Sequence, residues 1–70
     1  MNMIPVSSSN LVAVGYDEIS KTLLIRFRNG TYAYSGVPQH VYESLMHAGS
    51  KGRYHDTFIK DRYPCRKVSY

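Results

Sequence analysis

The stretch of sequence that decides the fold is residues 22–35, which read TLLIRFRNGTYAYS. Leu23, Ile25 and Phe27 fall at every second position before the dipeptide Asn29-Gly30, and a second β-favouring run follows it. Alternation with a period of two is typical of a half-buried strand, and Asn-Gly between two such runs is a strong hairpin signal. The sequence therefore predicts an antiparallel hairpin with strands over residues 22–28 and 31–35.

A two-residue turn at this dipeptide would fix the register of the hairpin. It would pair Phe27 with Tyr32 and Ile25 with Tyr34. Opposed residues project to the same face of a sheet, so both tyrosines would join the apolar face. We therefore expect Tyr32 and Tyr34 to be mainly structural residues that pack in the core, rather than an exposed platform on which bases stack.

The sequence on either side of the hairpin supplies one more strand and two helices. Residues 11–16 are rich in β-favouring types, and residues 39–48 follow a helical period. Ser50 is a candidate N-cap for a second helix, which the Tyr63-Pro64 dipeptide ends. We expect an α+β fold, in which a three-stranded antiparallel β-meander is followed by two α-helices packed on one face.

Length and cysteine content exclude several classes of protein. A chain of 70 residues has room for one small domain, and Cys65 is its only cysteine, so no internal disulfide can form. The longest apolar runs are far shorter than the roughly 20 residues that span a bilayer, and the N-terminal residues do not resemble a secretory signal. We expect a cytoplasmic protein without a membrane partner.

The positive charge is concentrated at the C-terminal end. Residues 1–50 carry three lysines and arginines against three acidic residues, and residues 51–70 carry six against two, so the whole net charge of +4 lies in the last 20 residues. Aromatic residues are interleaved with these cations, a pattern that suits RNA or DNA, although it is also found on ordinary solvated surfaces. The candidate contact residues in the predicted basic C-terminal helix and tail are Lys51, Arg53, Lys60, Arg62, Arg66 and Lys67, with Arg26 and Arg28 on the other face of the hairpin.

The sequence offers little for catalysis. No pair of histidines or cysteines has the spacing of a metal site, and no set of nucleophile, base and acid is recognisable. We therefore expect no catalytic residues, no metal, no cofactor and no small-molecule substrate.

Several short motifs follow one another along the chain: Val6-Ser7-Ser8-Ser9, Gly15-Tyr16-Asp17, Leu23 to Phe27, Gly30, Tyr32-Ala33-Tyr34, Gly36-Val37-Pro38, Val41-Tyr42, Ala48, Ser50, Gly52, Tyr54 and Ile59. Their order resembles that of the KTSC domain family, named for a C-terminal extension of some lysyl-tRNA synthetases. The resemblance covers about residues 6–68 of a single domain over residues 1–70, and its central Tyr-x-Tyr motif is matched by Tyr32 and Tyr34. It implies a small bacterial or phage protein whose suggested property is RNA binding, and it defines no catalytic residues. Cys65 departs from the family pattern, which often has an aromatic residue after the proline.

Two functional hypotheses follow. The first is a non-enzymatic module that binds RNA or DNA by neutralising phosphates through its basic residues. The alternative is a protein-interaction adaptor or phage accessory protein that uses an open sheet edge or the face of Arg26 and Arg28. The two differ in salt dependence, because strand addition at a sheet edge relies on backbone hydrogen bonds.

Overall fold

A computed structural model describes residues 2–69, which form a five-stranded antiparallel sheet and two helical segments. The strands lie side by side in chain order, and both helical segments lie in the connection between the fourth and fifth strands. None of the helices formed by these residues has the length and apolar character needed to cross a bilayer. In chain order the elements are β1 (Ile4–Pro5), β2 (Leu11–Asp17), β3 (Thr22–Phe27), β4 (Gly30–Tyr34), α1 (Gln39–His47), α2 (Lys51–Tyr54), a π-helical turn (His55–Ile59) and β5 (Cys65–Val68).

The α+β class and the antiparallel meander are confirmed, but the prediction of three strands was wrong. Strand β1 has two residues, one of them Pro5, so it carries no alternation that a sequence pattern could reveal. Strand β5 follows the helices and pairs with β4, from Tyr34↔Cys65 to Thr31↔Val68. The segment interpreted as a basic tail is therefore the edge strand of the sheet.

The predicted hairpin forms, with a register that differs from the prediction by two residues. Phe27 pairs with Gly30 and Ile25 with Tyr32, so the turn falls at residues 28–29. Among the described residues, the positive φ at this turn belongs to Gly30, at 149°. Because a shift of two residues preserves the alternation, Tyr32 and Tyr34 still share a face with Ile25 and Phe27.

The helices cover one end of that face. Leu23 and Ile25 are fully buried beneath Val41 and Leu45 of α1 and Ile59 of the π-helical turn. Burying a side chain of this size stabilises a fold by about 1.5–3 kcal/mol. This part of the face, around Leu23 and Ile25, is therefore fully covered and forms the hydrophobic core.

The second helical segment begins where the sequence predicted. The Ser50 side chain caps α2 by accepting a hydrogen bond from the backbone N–H of Arg53, at 3.3 Å. The chain then widens into the π-helical turn, in which His55 and Ile59 are both buried. Short π-helical turns of this kind are frequent at functional sites.

We expect Gly30→Ala to lower the free energy of unfolding by about 1–3 kcal/mol, because φ at Gly30 lies where residues with a Cβ are strained. An added Cβ would also lie 2.8 Å from Cε of Lys67, but that flexible side chain can move aside. Urea unfolding measures the effect. Gly49→Ala is the control, since φ at Gly49 is not positive and nothing lies within 4 Å of an added Cβ there. Equal losses in the two variants would contradict the assignment of strain to Gly30.

Candidate functional site

The helices leave the hairpin end of the covered face open. Tyr34 is only 5% exposed, whereas Phe27 and Tyr32, which lie nearer the turn, are half-buried. The structure thus separates the two tyrosines of the Tyr-x-Tyr motif: one belongs to the core, and the other borders solvent.

The open end forms a concave surface that we call the aromatic cleft, with a volume of about 600 Å³. Its rings meet at their edges: the centroids of Phe27 and Tyr32 are 5.8 Å apart, and those of Phe27 and His55 are 5.1 Å apart. Such edge-to-face pairs stabilise aromatic clusters beyond their buried area. The cleft is lined by Phe27, Asn29, Tyr32, Tyr34, His55, Lys60, Asp61, Tyr63 and Cys65.

A chain of polar contacts connects the floor of the cleft to the π-helical turn. The hydroxyl of Tyr34 lies 2.7 Å from Nε2 of His55, and Nδ1 of the same imidazole lies 3.4 Å from Oδ1 of Asp56. Both contacts are satisfied by a neutral imidazole with its proton on Nδ1, which donates to Asp56 while Nε2 accepts from the tyrosine. Within residues 2–69, no buried side-chain nitrogen or oxygen lacks a hydrogen-bond partner.

Electrostatics keep both members of the buried pair uncharged near neutral pH. Burial, and then the neighbouring thiol of Cys65, raise the pKa of Tyr34, so its hydroxyl remains a donor. Burial lowers the pKa of His55, and the Asp56 carboxylate opposes this shift only in part. The floor of the cleft is therefore neutral although Nδ1 of His55 contacts the Asp56 carboxylate, and the charged side chains among the lining residues are Lys60 and Asp61.

Two of the predicted contact residues lie beside the cleft. Lys60 is exposed and lines it directly. Lys67 pairs with Tyr32 across the β4–β5 ladder, so it projects to the same side of the sheet. Its methylene chain passes over Gly30. The structure thus brings one cation from the helical region and one from the edge strand to the same aromatic surface.

The other six predicted residues are dispersed. Arg26 and Arg66 lie on the opposite face of the sheet, since they pair with Ala13 and Ala33 respectively. Arg28, in the hairpin turn, donates to the backbone carbonyl of Ser9 at 3.2 Å. The predicted set therefore does not form one surface.

The remaining three of those six lie on or near the helical segments. Nζ of Lys51 donates to the carbonyl of Ala48 at 3.3 Å, and Nε of Arg62 donates to that of Thr57 at 3.2 Å. Arg53 is exposed on α2. Two of these three cations thus satisfy backbone carbonyls near helix ends.

Sequence reasoning did not identify six of the lining residues as parts of a site, namely Phe27, Asn29, His55, Asp61, Tyr63 and Cys65. The place of Asn29 beside the cleft could have been predicted, because a residue in the hairpin turn lies next to the last pair of the two strands, which includes Phe27. Asp61 has a φ of 63°, in the left-handed region that aspartate tolerates, and it lies in the connection from the π-helical turn to β5. No local pattern locates that connection, since its position depends on β5 joining the sheet. The described residues contain no group of three or more His, Cys, Asp or Glu side chains that could hold a metal.

Taken together, the strand order and the helical cover define a small α+β domain built on an antiparallel sheet with one face partly enclosed. Residues 7–63 match the KTSC domain family, and the chain belongs to that family. The crystal structure of a KTSC domain protein from Yersinia pestis is similar, with 45% sequence identity, a TM-score of 0.95 and 97% coverage of both chains. The family resemblance drawn from the sequence is confirmed.

Two further relatives differ in their architecture. A protein from Tsukamurella paurometabola is 42% identical over 62 residues, which cover 87% of this chain and 92% of that protein. A lysine-tRNA ligase from Nostoc punctiforme is 38% identical over 55 residues, which cover 77% of this chain but 10% of the ligase. The domain therefore resembles both a small protein of its own size and a minor part of a large one.

We expect Tyr34→Phe to lower the free energy of unfolding by about 1–3 kcal/mol, because it leaves Nε2 of the buried His55 without its donor. Tyr42→Phe is the matched control, since that half-buried ring stacks on Tyr16 and its hydroxyl bonds to none of the described residues. Urea unfolding at neutral pH compares the two. A Tyr34→Phe variant no less stable than Tyr42→Phe would refute the role of this hydrogen bond.

Stability should also depend on pH through His55. The unfolded chain takes up a proton near the ordinary histidine pKa of about 6.5, whereas the folded chain resists protonation to a lower pH. The unfolded state therefore binds more protons below that value, and the free energy of unfolding should fall as pH decreases from about 7.5 to about 5.5. Urea unfolding across this range should show a weaker pH dependence for His55→Gln than for the wild type, and an unchanged one for His40→Gln, a control at an exposed position. Identical pH profiles for His55→Gln and the wild type would contradict the assignment.

Proposed function

We propose that this domain is a non-enzymatic RNA-binding module whose contact surface is the aromatic cleft with Lys60 and Lys67 beside it. The observation that carries the proposal is the meeting of half-buried rings and cations from separate parts of the chain at one concave surface. Cations neutralise phosphates, and accessible rings stack on bases, so the two together suit a nucleic acid better than either alone.

Two further observations support RNA as the partner. The chain has a net charge of +4 and an isoelectric point of about 9.4, which favours association with polyanions. Two of its relatives, from Nostoc punctiforme and another Nostoc strain, are lysine-tRNA ligases, and that name identifies tRNA as their substrate. A module that adds RNA affinity is useful both within such an enzyme and on its own.

The proposal predicts salt-dependent binding that weakens when either lysine of the cleft loses its charge. Each lysine that contacts a phosphate of a single strand contributes about 0.7 to the slope of log affinity against log salt concentration. Lys60→Gln and Lys67→Gln should therefore each lower the affinity for a short RNA of mixed sequence and reduce that slope by about this amount. Fluorescence anisotropy between about 50 mM and about 200 mM salt measures both quantities.

Lys21→Gln provides the matched control, because Lys21 is exposed in the β2–β3 turn, at the opposite end of β3 from the cleft. It removes the same charge and should leave the slope nearly unchanged. The proposal fails if the wild type shows no RNA binding at low salt, or if all three variants lose affinity equally.

A second candidate function rests on the free edge of the sheet. β5 is the last strand, and within residues 2–69 nothing pairs with its outer side. An extended peptide could add there through backbone hydrogen bonds, as the adaptor hypothesis requires. The charges of Arg66 and Lys67 instead resemble the devices by which proteins protect an edge from pairing. Peptide binding that persists at high salt would favour this second function.

A further inference from the structure

We infer that the aromatic cleft takes up one unpaired base, so that the domain selects single-stranded RNA over duplex. This inference rests on the proposed function and concerns the same surface. In this arrangement the phosphates of the RNA contact Lys60 and Lys67 beside the cleft, and one base enters its interior. In a duplex the bases are stacked on one another, so their faces are not available to the rings of the cleft.

The charge of the lining argues for a base rather than a phosphate inside. Lys60 and Asp61 contribute opposite charges, and the floor contributes none, since Tyr34 and the buried His55 are neutral. A phosphate placed there would meet the Asp61 carboxylate, whereas a neutral base would meet aromatic carbon. The cleft is thus a poor phosphate site and a suitable site for a ring.

The dimensions and surfaces also fit. The volume of about 600 Å³ lies within the range of about 300–1,000 Å³ that is usual for ligand pockets, so it has room for a base and part of its sugar. Phe27, Tyr32 and Tyr63 are each half-buried, so they keep ring surface toward the cleft while packing against the core. Rings held in this way lose little conformational freedom when a base stacks on them.

The rim adds a preference among bases. Asp61 is exposed and forms no ion pair or hydrogen bond with any described residue, so both of its oxygens are available as acceptors. A carboxylate accepts from the exocyclic amine of cytosine, while uracil presents a carbonyl oxygen at the same position. We therefore expect cytosine to be preferred over uracil, two pyrimidines of nearly equal size.

The test titrates the full chain with RNA oligomers of about ten nucleotides. Oligocytidine, oligouridine and a duplex of the same length are compared by anisotropy at one salt concentration. Tyr32→Leu should weaken binding of oligocytidine by roughly 5- to 100-fold, while Tyr32→Phe, which keeps the ring, should bind like the wild type. Tyr42→Leu is the control for loss of a half-buried tyrosine elsewhere.

Asp61→Asn separates the base preference from stacking. The wild type should favour oligocytidine over oligouridine by on the order of 10-fold, and the variant should lose that preference while still binding both. Asparagine also tolerates the left-handed backbone at this position, so the fold should be retained.

A measurement on the unmodified chain tests the inference even if the Tyr32→Leu variant misfolds. The ring protons of Tyr32 should shift in NMR spectra on addition of oligocytidine, because a stacked base exerts a ring-current effect. Equal affinity for duplex and single strands, with binding still weakened by Lys60→Gln and Lys67→Gln, would overturn the inference and leave RNA binding at this surface standing. Absence of binding to every RNA would overturn both.

Discussion

The structure depends on the burial of one face of β3 beneath two short helical segments. Leu23 and Ile25 are fully buried there, and the strands on either side take their orientation from them. Because side chains alternate along a strand, burying these two residues also fixes which side Phe27 faces. The same constraint that forms the core therefore presents an aromatic ring at the uncovered end of the face. The cleft lies where this ring and that of Tyr32 remain only half-buried.

Much of this arrangement could be predicted from residues 22–35. The alternation identified the hairpin and the face of its tyrosines, and the two-residue error in register did no harm, because an even shift preserves the faces. The error arose from placing the turn at Asn29-Gly30. The chain instead turns at residues 28–29 and uses the conformational freedom of Gly30 for the first paired residue of β4. The local sequence pattern was enough to predict which face of the sheet the tyrosines share, but the exact register between β3 and β4 depends on the positions of the other strands.

The edge strand β5 and the aromatic cleft could not be predicted from local sequence patterns, again because they depend on the positions of other strands. Cys65–Val68 has no apolar alternation, and it becomes a strand because the helical connection returns the chain to β4. Because side chains alternate along β5, its neighbouring cations lie on opposite faces of the sheet. Lys67 lies on the face of the aromatic cleft, and Arg66 lies on the other face. Clustering in sequence was therefore a poor guide to clustering in space. The basic segment still contributes to the candidate surface, but through two residues of its six.

The dispersal of the cations bears on what kind of recognition this domain can perform. A continuous basic surface would bind any polyanion, and its contacts would carry no information about the bases. Of the eight predicted contact residues, Lys60 and Lys67 lie beside the cleft, and the Asp61 carboxylate would repel a phosphate placed inside it. The buried hydrogen bond between Tyr34 and His55 adds rigidity to the floor without adding charge. If the proposed function holds, phosphate contacts would therefore contribute little affinity, and ring stacking would decide which nucleic acid is retained.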